Sequence, residues 1–216
     1  MPPMSAKWGM IGKAAHVGLA LARRPRDIQP YVRLSLRDER TATDMGMPWF
    51  SFGAINYLAR RLTGKETVYE YGGGGSTLWL ASRVNHVVTI ENDLEWHAKL
   101  HTALAERGAT NVELVHADAD FNDPATFGSS SFAQALPTEP ADVIIVDSYD
   151  FPEPHSLRPI LFKVAEDRIC PGGIIVVDDS WRYPQLRTRS QARKVHTERG
   201  VGPSRRSVTS TDFFLY

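Results

Sequence analysis

The sequence has a single cysteine, Cys170, in 216 residues. One thiol excludes an internal disulfide framework and a cysteine-rich zinc site, and it suits a reducing compartment. The sequence also lacks an excess of one charge, because 25 Lys and Arg residues balance 25 Asp and Glu residues. Without a net charge, no long-range field holds the chain on nucleic acid or on an anionic membrane. We therefore predict a cytoplasmic protein with a small-molecule partner, and nucleic acid is disfavoured.

Long apolar runs are missing as well. The apolar stretch within residues 1–25 is interrupted by Lys13 and His16. It is too short and too polar for a membrane span, and it lacks the clean cleavage pattern of a signal peptide. The remaining composition, with 42% hydrophobic residues, is enough to bury an ordinary core in a single domain.

The first 47 residues are predicted to form a helical extension or cap in front of the main domain. Apolar residues recur at helical spacing between residues 5 and 22, at Trp8, Ile11, Ala15, Leu19 and Ala22. This helix is a candidate lid or a candidate contact in a homodimer. Residues 27–48 show no sustained period and are interpreted as an irregular linker or cap.

The main domain is predicted to span residues 48–216. It begins with a helix that Ser51 caps and Gly64 ends. Five strand-like runs follow: TVYEY, HVVTIE, NVELVHA, ADVIIVD and GGIIVVDD. The last two are apolar on both faces, which is typical of a parallel sheet covered by helices on each side. The runs RKVHTE and RRSVTSTDFFLY, separated by GVGPS, favour an antiparallel pair, so the predicted fold is α/β, a doubly wound, mostly parallel sheet with an antiparallel C-terminal hairpin.

Four consecutive glycines, Gly72 to Gly75, directly follow the first predicted strand. In an open parallel sheet, ligands bind beyond the carboxyl ends of the strands, where glycine lets backbone amides approach them. Glu91 ends the second strand about 20 positions later, the spacing expected of a carboxylate that binds a ribose diol. A dinucleotide fingerprint requires a third glycine, but that position is Thr77 or Leu78, depending on the register. Dinucleotide binding is therefore disfavoured.

The segment EYGGGGS resembles the acidic-x-Gly-x-Gly motif of class I S-adenosylmethionine-dependent methyltransferases, and HVVTIEND resembles their second strand with its terminal acid. The resemblance extends over residues 48–216 and implies a Rossmann-like domain that binds S-adenosylmethionine. It assigns cofactor binding to six residues, with Ser76 at the position of the family's third glycine: Glu70, Gly72, Gly74, Ser76, Glu91 and Asp118. Acids suit this cofactor, because its sulfonium and ammonium groups are cationic.

Acidic residues also follow the fourth and fifth predicted strands. Methyl transfer from a sulfonium is an in-line displacement that needs a base when the acceptor is a hydroxyl or amine, and the candidates are Asp147, Tyr149 and His155. Asp147, Asp178 and Asp179 further resemble the metal ligands of catechol and caffeoyl-type O-methyltransferases. That family has Asn at the position of Asp179 and keeps a lysine that is absent here. A divalent metal is therefore an alternative that we do not favour.

Aromatic residues near the same strand ends are candidates for the walls of a substrate pocket: Trp49, Phe50, Trp181 and Tyr183. Residues 182–206 contain eight Lys or Arg residues and one acid, a pattern that indicates a solvated surface, an anionic substrate or RNA. The leading hypothesis is methylation of a small molecule at oxygen or nitrogen. The alternatives are transfer or cyclisation of the aminocarboxypropyl group with release of methylthioadenosine, a nicotinamide-dependent dehydrogenase, and a non-catalytic binding module.

Overall fold

A computed structural model describes residues 4–121, 123–151 and 156–216, with the backbone alone at residues 4–11 and 124. The α-helices are α1 (Met4–Arg23), α2 (Ile28–Tyr31), α3 (Ala42–Met45), α4 (Phe52–Ala59), α5 (Gly75–Ala81), α6 (Leu94–Glu106), α7 (Pro124–Phe127), α8 (Arg158–Glu166) and α9 (Leu186–Arg189). The strands are β1 (Thr67–Tyr71), β2 (His86–Glu91), β3 (Val112–His116), β4 (Ala141–Val146), β5 (Ile169–Val177), β6 (Lys194–Gly200) and β7 (Thr209–Leu215). Turns of 3-10 helix cover Pro25–Asp27 and Ser180–Arg182, and a π-helical turn covers Val32–Leu36.

The strands of the described chain form one seven-stranded sheet in the order β3-β2-β1-β4-β5-β7-β6. β1 lies between β2 and β4 and is parallel to both, and the pairs β2–β3 and β4–β5 are parallel as well. β7 runs antiparallel between β5 and β6. The predicted doubly wound fold with a C-terminal hairpin is therefore confirmed, and each predicted strand forms close to its expected bounds.

Alternation along β4 explains why its sequence is apolar throughout. Val143 and Ile145 pack on one face of the sheet in a cluster with residues of α4 and α5, while Ile144 and Val146 pack on the other face with residues of α8. All four side chains are buried. Because both faces are covered, polar chemistry is left to the edge of the sheet where the parallel strands end.

The segment between α1 and α4 corrects the expectation of an irregular linker, because it forms a series of short helical turns. A capping box between Thr41 and Asp44 starts α3, and Gly46 ends it in the left-handed conformation. Tyr31 is buried in a small cluster with Phe52 at the start of α4. The turns are too short to show a hydrophobic period, and contacts with the main domain stabilise them.

The helix predicted from Ser51 begins as expected, since the Ser51 hydroxyl accepts a hydrogen bond from the Ala54 amide at 3.2 Å. It ends at Ala59 rather than near Gly64, whose φ of +91° belongs to the turn that leads into β1. The predicted N-terminal helix is confirmed as α1. Within the described residues, no helix is long and apolar enough to cross a membrane.

Candidate functional site

A cavity of about 1010 Å³ opens where β1, β2, β4 and β5 end. This edge of a doubly wound sheet is where ligands bind, because the loops that leave neighbouring strands diverge there. One side of the cavity consists of the glycine turn after β1 and the residues after β2. A second side consists of residues after β4 and β5, and a third combines residues 35–43 with the loop between β6 and β7.

The four glycines of the turn serve different purposes. Gly72 has a φ of +84°, and a Cβ there would lie 2.7 Å from the backbone oxygen of Asp147. A Cβ on Gly75 would lie 2.1 Å from the backbone oxygen of Met47. These two glycines let other parts of the chain approach. A Cβ on Gly74, by contrast, would meet only the Thr43 hydroxyl at 3.6 Å, so Gly74 is the glycine whose open side is available to a ligand.

The carboxylate of Glu91 lines the cavity beside the turn. Its Oε2 accepts a hydrogen bond from the Gly73 amide, and its Oε1 accepts from the amides of Asn92 and Asp93, all at 2.9 Å. A carboxylate offers about four acceptor positions, so Oε2 has room for one further donor. The three backbone amides fix the orientation of this side chain, which can therefore receive a ligand hydroxyl without rearranging.

Trp96, which the sequence analysis did not single out, lines the same side of the cavity. Its indole Nε1 donates to the carbonyl oxygen of Gly73 at 2.8 Å. Asp93 accepts a hydrogen bond from the Trp96 amide at 2.8 Å and thereby caps α6. The sequence signal that could have identified Trp96 was its position in the first turn of the helix after Glu91, because a side chain there stays close to the strand end.

Glu70 does not reach the cavity, although the resemblance assigns it to the cofactor. It is fully buried, and its Oε2 accepts hydrogen bonds from the hydroxyls of Thr77, at 2.5 Å, and Thr89, at 3.0 Å. Burial raises the pKa of Glu70 to about 7, against the lowering effect of these hydroxyls. In this arrangement Glu70 supports the turn from below by holding Thr77, which in turn accepts a hydrogen bond from the Gly74 amide at 3.0 Å.

Asp118 and Ser76, the other residues assigned by resemblance, differ in their placement. Ser76 lines the cavity at the start of α5. The Asp118 side chain is 90% exposed and is not part of the cavity wall. Its backbone oxygen instead accepts hydrogen bonds from the Ser131 hydroxyl and the Phe132 amide. The structure therefore brings Ser76 to the glycine turn and gives no support to a role of Asp118.

Asp147, directly after β4, lines the cavity with 21% of its side chain exposed. Nη2 of the buried Arg158 lies 3.0 Å from its Oδ1, and the same guanidinium donates to the backbone oxygens of Ser148 and Asp178 at 2.8 and 2.9 Å. Burial raises the pKa of Asp147 to about 6, although Arg158 opposes that rise. The raised pKa and the exposed fraction give this carboxylate the proton affinity and the access that a general base requires.

Asp178 and Asp179, directly after β5, are both held by Arg205. Nη2 of Arg205 lies 3.2 Å from Oδ2 of Asp178, and Nη1 lies 3.0 Å from Oδ1 of Asp179. Burial and the neighbouring Asp147 raise the pKa of Asp178 to about 8. Burial also acts on Asp179, but Arg205 and the hydroxyl of Thr209 outweigh it and lower the pKa of Asp179. Asp179 has a φ of +49°, so the chain turns sharply at this point.

The three aspartates do not fit a divalent metal. The described residues contain no group of three or more His, Cys, Asp or Glu side chains arranged to hold an ion. Asp147 is paired with Arg158, and Asp178 and Asp179 are paired with Arg205. Because guanidinium groups supply the positive charge that a metal would supply, we derive no step through a metal.

The aromatic residues predicted to line a pocket separate into three groups. Trp49 is 52% exposed and lines the cavity, with the Arg205 guanidinium 4.7 Å from its ring centroid. Trp181 is exposed but is not part of the cavity wall. Phe50 and Tyr183 are buried, Phe50 against α4 and Tyr183 with its hydroxyl 2.6 Å from Oδ2 of Asp150. Because they are buried, Phe50 and Tyr183 are removed from the candidate substrate wall. The prediction was wrong for them because sequence alone does not distinguish an aromatic side chain of the core from one that lines a pocket.

Of the other two candidate catalytic residues, Tyr149 lines the cavity and is 65% exposed. Its ring makes edge contacts with Phe121 and Phe151 at 6.0 and 5.3 Å between centroids. His155 lies outside the described residues. The structure thus brings Asp147 and Tyr149 to one cavity.

The third wall is the largest part of the site that sequence reasoning missed. The Ser35 hydroxyl donates to the Gly202 carbonyl at 2.7 Å, and the Ser204 hydroxyl donates to the Arg40 carbonyl at 2.8 Å. These bonds attach residues 35–43 to the loop between β6 and β7 and form one continuous surface. The N-terminal extension therefore builds the cavity rather than standing apart from it.

No family model matches this chain, and no curated protein matches it in sequence. Solved structures do resemble it in fold. An O-methyltransferase from Bacillus cereus, solved with SAH, is 16% identical with a TM-score of 0.58, over 95% of this chain and 99% of that chain. An rRNA methylase from Streptococcus thermophilus is 15% identical with a TM-score of 0.55, over 74% of this chain and 92% of that chain.

A third similar structure, precorrin 8w decarboxylase from Methanobacterium thermoautotrophicum, is 17% identical with a TM-score of 0.54, over 82% of this chain and 92% of that chain. The three proteins are named for different substrates, so their likeness describes the fold and leaves the acceptor open. In strand order, hairpin and position of the cavity, the chain has the Rossmann-like fold of S-adenosylmethionine-dependent methyltransferases.

Proposed function

We propose that this protein is an S-adenosylmethionine-dependent methyltransferase that methylates a small molecule at oxygen or nitrogen. One observation carries the proposal: Glu91, the open side of Gly74 and the raised-pKa carboxylate of Asp147 all face one cavity at the ends of the parallel strands. The first two suit a nucleoside cofactor, and the third suits proton removal from an acceptor. A cytoplasmic location is part of the proposal.

The residues at the β1–β2 side fit the cofactor. A ribose diol needs a fixed acceptor, and Glu91 offers an oriented carboxylate with capacity left on Oε2. The cofactor backbone needs a close approach to the protein, and the absent side chain of Gly74 permits it. The cofactor also carries positive charge, which Glu91 and Asp93 on the same side of the cavity complement.

When bound, S-adenosylmethionine supplies an electrophilic methyl group and leaves as S-adenosylhomocysteine, with the electron pair of the broken carbon–sulfur bond kept on sulfur. The protein positions the acceptor in line with that bond, and positioning of this kind supplies up to about 7–11 kcal/mol. Asp147 accepts the proton that the acceptor oxygen or nitrogen loses. Its raised pKa keeps its proton affinity above that of an ordinary aspartate, while the adjacent Arg158 stabilises its charged form.

Arg158 acts as a positioning residue for this base. It fixes the Asp147 carboxylate and joins the loops after β4 and β5 through two backbone carbonyls.

The size of the cavity supports a small acceptor: about 1010 Å³ is at the upper end for a single ligand and accommodates a cofactor with a small molecule beside it. Residues 35–43 form a wall that extends to the glycine turn and closes the cavity, which limits the acceptor to one that fits inside.

The proposal is tested by cofactor binding to the purified chain, measured by calorimetry with S-adenosylmethionine and S-adenosylhomocysteine. We expect both to bind the unaltered protein and Glu91→Ala to weaken them about tenfold or more, since a lost hydrogen bond to a charged group has effects of this size. Glu95→Ala is the matched control, because Glu95 lies on the first turn of α6 outside the cavity wall. Its affinity should not change.

Three outcomes would contradict the proposal. The first is an absence of binding heat with both cofactor forms, which would show that S-adenosylmethionine is not the cofactor. The second is a rise of the melting temperature with NADH rather than with S-adenosylmethionine, which would favour a dehydrogenase. The third is the formation of methylthioadenosine instead of S-adenosylhomocysteine, read by mass spectrometry after incubation with S-adenosylmethionine and a panel of phenols, carboxylates and amines, which would identify aminocarboxypropyl chemistry.

A further inference from the structure

Two arginines on the third wall of the cavity have no counter-ion in the part of the chain that the structure describes. Arg37 and Arg206 both line the cavity and are both exposed. Within residues 4–121, 123–151 and 156–216, neither guanidinium takes part in an ion pair or a side-chain hydrogen bond. Burial raises the pKa of the nearby Tyr31, and the positive charge of Arg206 opposes that rise. Guanidinium groups that line a cavity and have no partner are available to bind carboxylates and phosphates.

The two arginines belong to one surface, although 37 and 206 are far apart in sequence. The Ser204 amide donates to the Leu34 carbonyl at 3.0 Å, and the Ser35 hydroxyl donates to the Gly202 carbonyl at 2.7 Å. These bonds attach the strand-connecting loop that carries Arg206 to the helical segment that carries Arg37. Both guanidinium groups are thus presented to the cavity from the same wall.

The acids on this wall leave a net positive charge. Asp38 is occupied by Arg40, which donates to both of its carboxylate oxygens at 3.0 and 2.8 Å and holds its pKa at about 2. Glu39 is exposed and is the remaining acid of this wall among the cavity-lining residues. Among the cavity-lining residues of this wall, the two positive charges of Arg37 and Arg206 therefore outnumber the one remaining negative charge, that of Glu39.

Strand order places Arg206 on the side of the acceptor rather than on that of the cofactor. Glu91 and Trp96 follow β2, on one side of β1, whereas Arg206 lies on the β6–β7 loop, on the other side of the sheet beyond β5. Its neighbour Arg205 contacts Asp178 and Asp179 at the end of β5. Arg206 is thus on the side of Asp147, where the proposed function places the acceptor.

Three of the other arginines of residues 182–206 are used within the fold. Arg187 is paired with Asp212 at 2.6 Å, Arg205 with Asp178 and Asp179, and Arg182 donates to the carbonyl of Phe151. These three guanidinium groups are therefore not free for a phosphate backbone. Within the cavity, a single anionic group on a small molecule fits the guanidiniums of Arg37 and Arg206.

We propose that the acceptor is a small molecule carrying a carboxylate or phosphate group, which Arg206 and Arg37 bind at the end of the cavity opposite Glu91. This inference rests on the proposed function. One guanidinium group can bind either anion with two parallel hydrogen bonds. Such a contact gives the acceptor one orientation, with its nucleophile towards Asp147. A neutral molecule of the same shape lacks this anchor.

The test uses benzoate and phenyl phosphate as anionic probes and benzyl alcohol as the neutral probe, each titrated into the protein saturated with S-adenosylhomocysteine. We expect the two anions to bind and benzyl alcohol to bind about tenfold more weakly or not at all. Arg206→Gln and Arg37→Gln should each weaken the anions about tenfold without changing the melting temperature, because both side chains are exposed. Arg199→Gln, an exposed arginine on β6 outside the cavity wall, is the matched control.

The carboxylate of the cofactor itself is the other source of an anion, and a second pair of ligands distinguishes it. S-adenosylhomocysteine has that carboxylate and methylthioadenosine lacks it. We expect Arg206→Gln to leave the affinities for both unchanged. A selective loss of S-adenosylhomocysteine affinity would overturn the inference, because the arginines would then bind the cofactor.

Other results overturn the inference in different ways. Equal benzoate affinity in the unaltered protein and in both variants would show that the arginines do not bind the anion, and absence of binding by both anionic probes would have the same meaning. An arginine-dependent affinity for a short single-stranded RNA in place of the small anions would favour a nucleic-acid acceptor. Failure of S-adenosylhomocysteine to bind the unaltered protein would instead contradict the proposed function, and the two failures are therefore distinguishable.

Discussion

The two ends of the cavity are built by different physical means. At the β1–β2 end, backbone amides hold the Glu91 carboxylate, and the Gly73 carbonyl holds the indole of Trp96, all within a short stretch of chain. At the β4–β5 end, side-chain ion pairs hold the carboxylates, with Arg158 on Asp147 and Arg205 on the acids after β5. The first end depends on backbone geometry and the second on charge balance, so substitutions should affect them differently.

The largest effect is expected from removing Arg158, which would break the charge balance of the β4–β5 end. Arg158→Met leaves the partly buried Asp147 without its counter-ion and removes the donor to the carbonyls of Ser148 and Asp178. Loss of one partner of a buried pair costs about 3–5 kcal/mol. The measurement is the free energy of unfolding in urea, and the expected change is a loss of that size.

The double variant Arg158→Met with Asp147→Asn provides the control. Removing both charges together should restore a part of the lost stability, because no uncompensated carboxylate remains. If the single and double variants were equally unstable, the backbone hydrogen bonds of Arg158 would carry its contribution, and the ion pair would not distinguish this end of the cavity.

The glycine end offers a sharper test, because neighbouring glycines face different surroundings. Gly75→Ala would place its Cβ 2.1 Å from the Met47 carbonyl oxygen and 2.7 Å from the Ala42 carbonyl oxygen, so the N-terminal segment must shift. Overpacking of this kind costs about 1–3 kcal/mol. Gly74→Ala adds a Cβ whose nearest neighbour is the Thr43 hydroxyl at 3.6 Å, an ordinary contact.

We therefore expect thermal and urea unfolding to show a loss of stability for Gly75→Ala and a change within about 0.5 kcal/mol for Gly74→Ala. Titration with S-adenosylhomocysteine should show the reverse sensitivity for Gly74→Ala, which keeps its fold but loses affinity because its methyl group enters the cavity. Equal stability of the two variants would contradict the idea that the N-terminal segment packs directly on the turn.

The glycine end could be predicted from sequence because its residues lie together in the chain. A strand, a turn and a terminal acid such as Glu91 are local patterns, and the strands themselves are continuous apolar runs that no long-range contact had to explain. The same holds for the hairpin of β6 and β7, which are consecutive strands joined by the loop of residues 201–208. Glu70 is the exception, since the motif includes it but burial keeps it away from the cavity.

The β4–β5 end could not be predicted in the same way. Arg158, Arg205 and the wall around residues 35–43 reach the cavity only through the fold, and no spacing in the sequence brings them together. The aromatic residues failed for a related reason: Trp49 and Phe50 are adjacent in sequence, yet one is half exposed in the cavity and the other is fully buried. Local composition does not determine which side of the chain faces a core.

The smallest predicted effect tests whether the glycine end also contains an unfavourable buried charge. Burial raises the pKa of Glu70 from 4.5 to about 7, so the folded protein binds a proton there more tightly than the unfolded chain does. Stability associated with Glu70 is then fully present below about pH 4.5 and is lost as the pH rises through about 7. Glu70→Gln removes this dependence.

Relative to the unaltered protein, Glu70→Gln should therefore gain stability as the pH rises from 5 to 8. Glu66→Gln is the matched control. Burial raises the pKa of Glu66, but hydrogen bonds from Thr63 and Gly64 outweigh it and lower that pKa, so the stabilisation by Glu66 is present above about pH 4.5 and is lost only in stronger acid. Between pH 5 and pH 8 the stability relative to the unaltered protein should therefore change for Glu70→Gln and stay nearly constant for Glu66→Gln. A loss of stability at pH 8 in both variants would mean that the charge on Glu70 supports the turn it lies beneath.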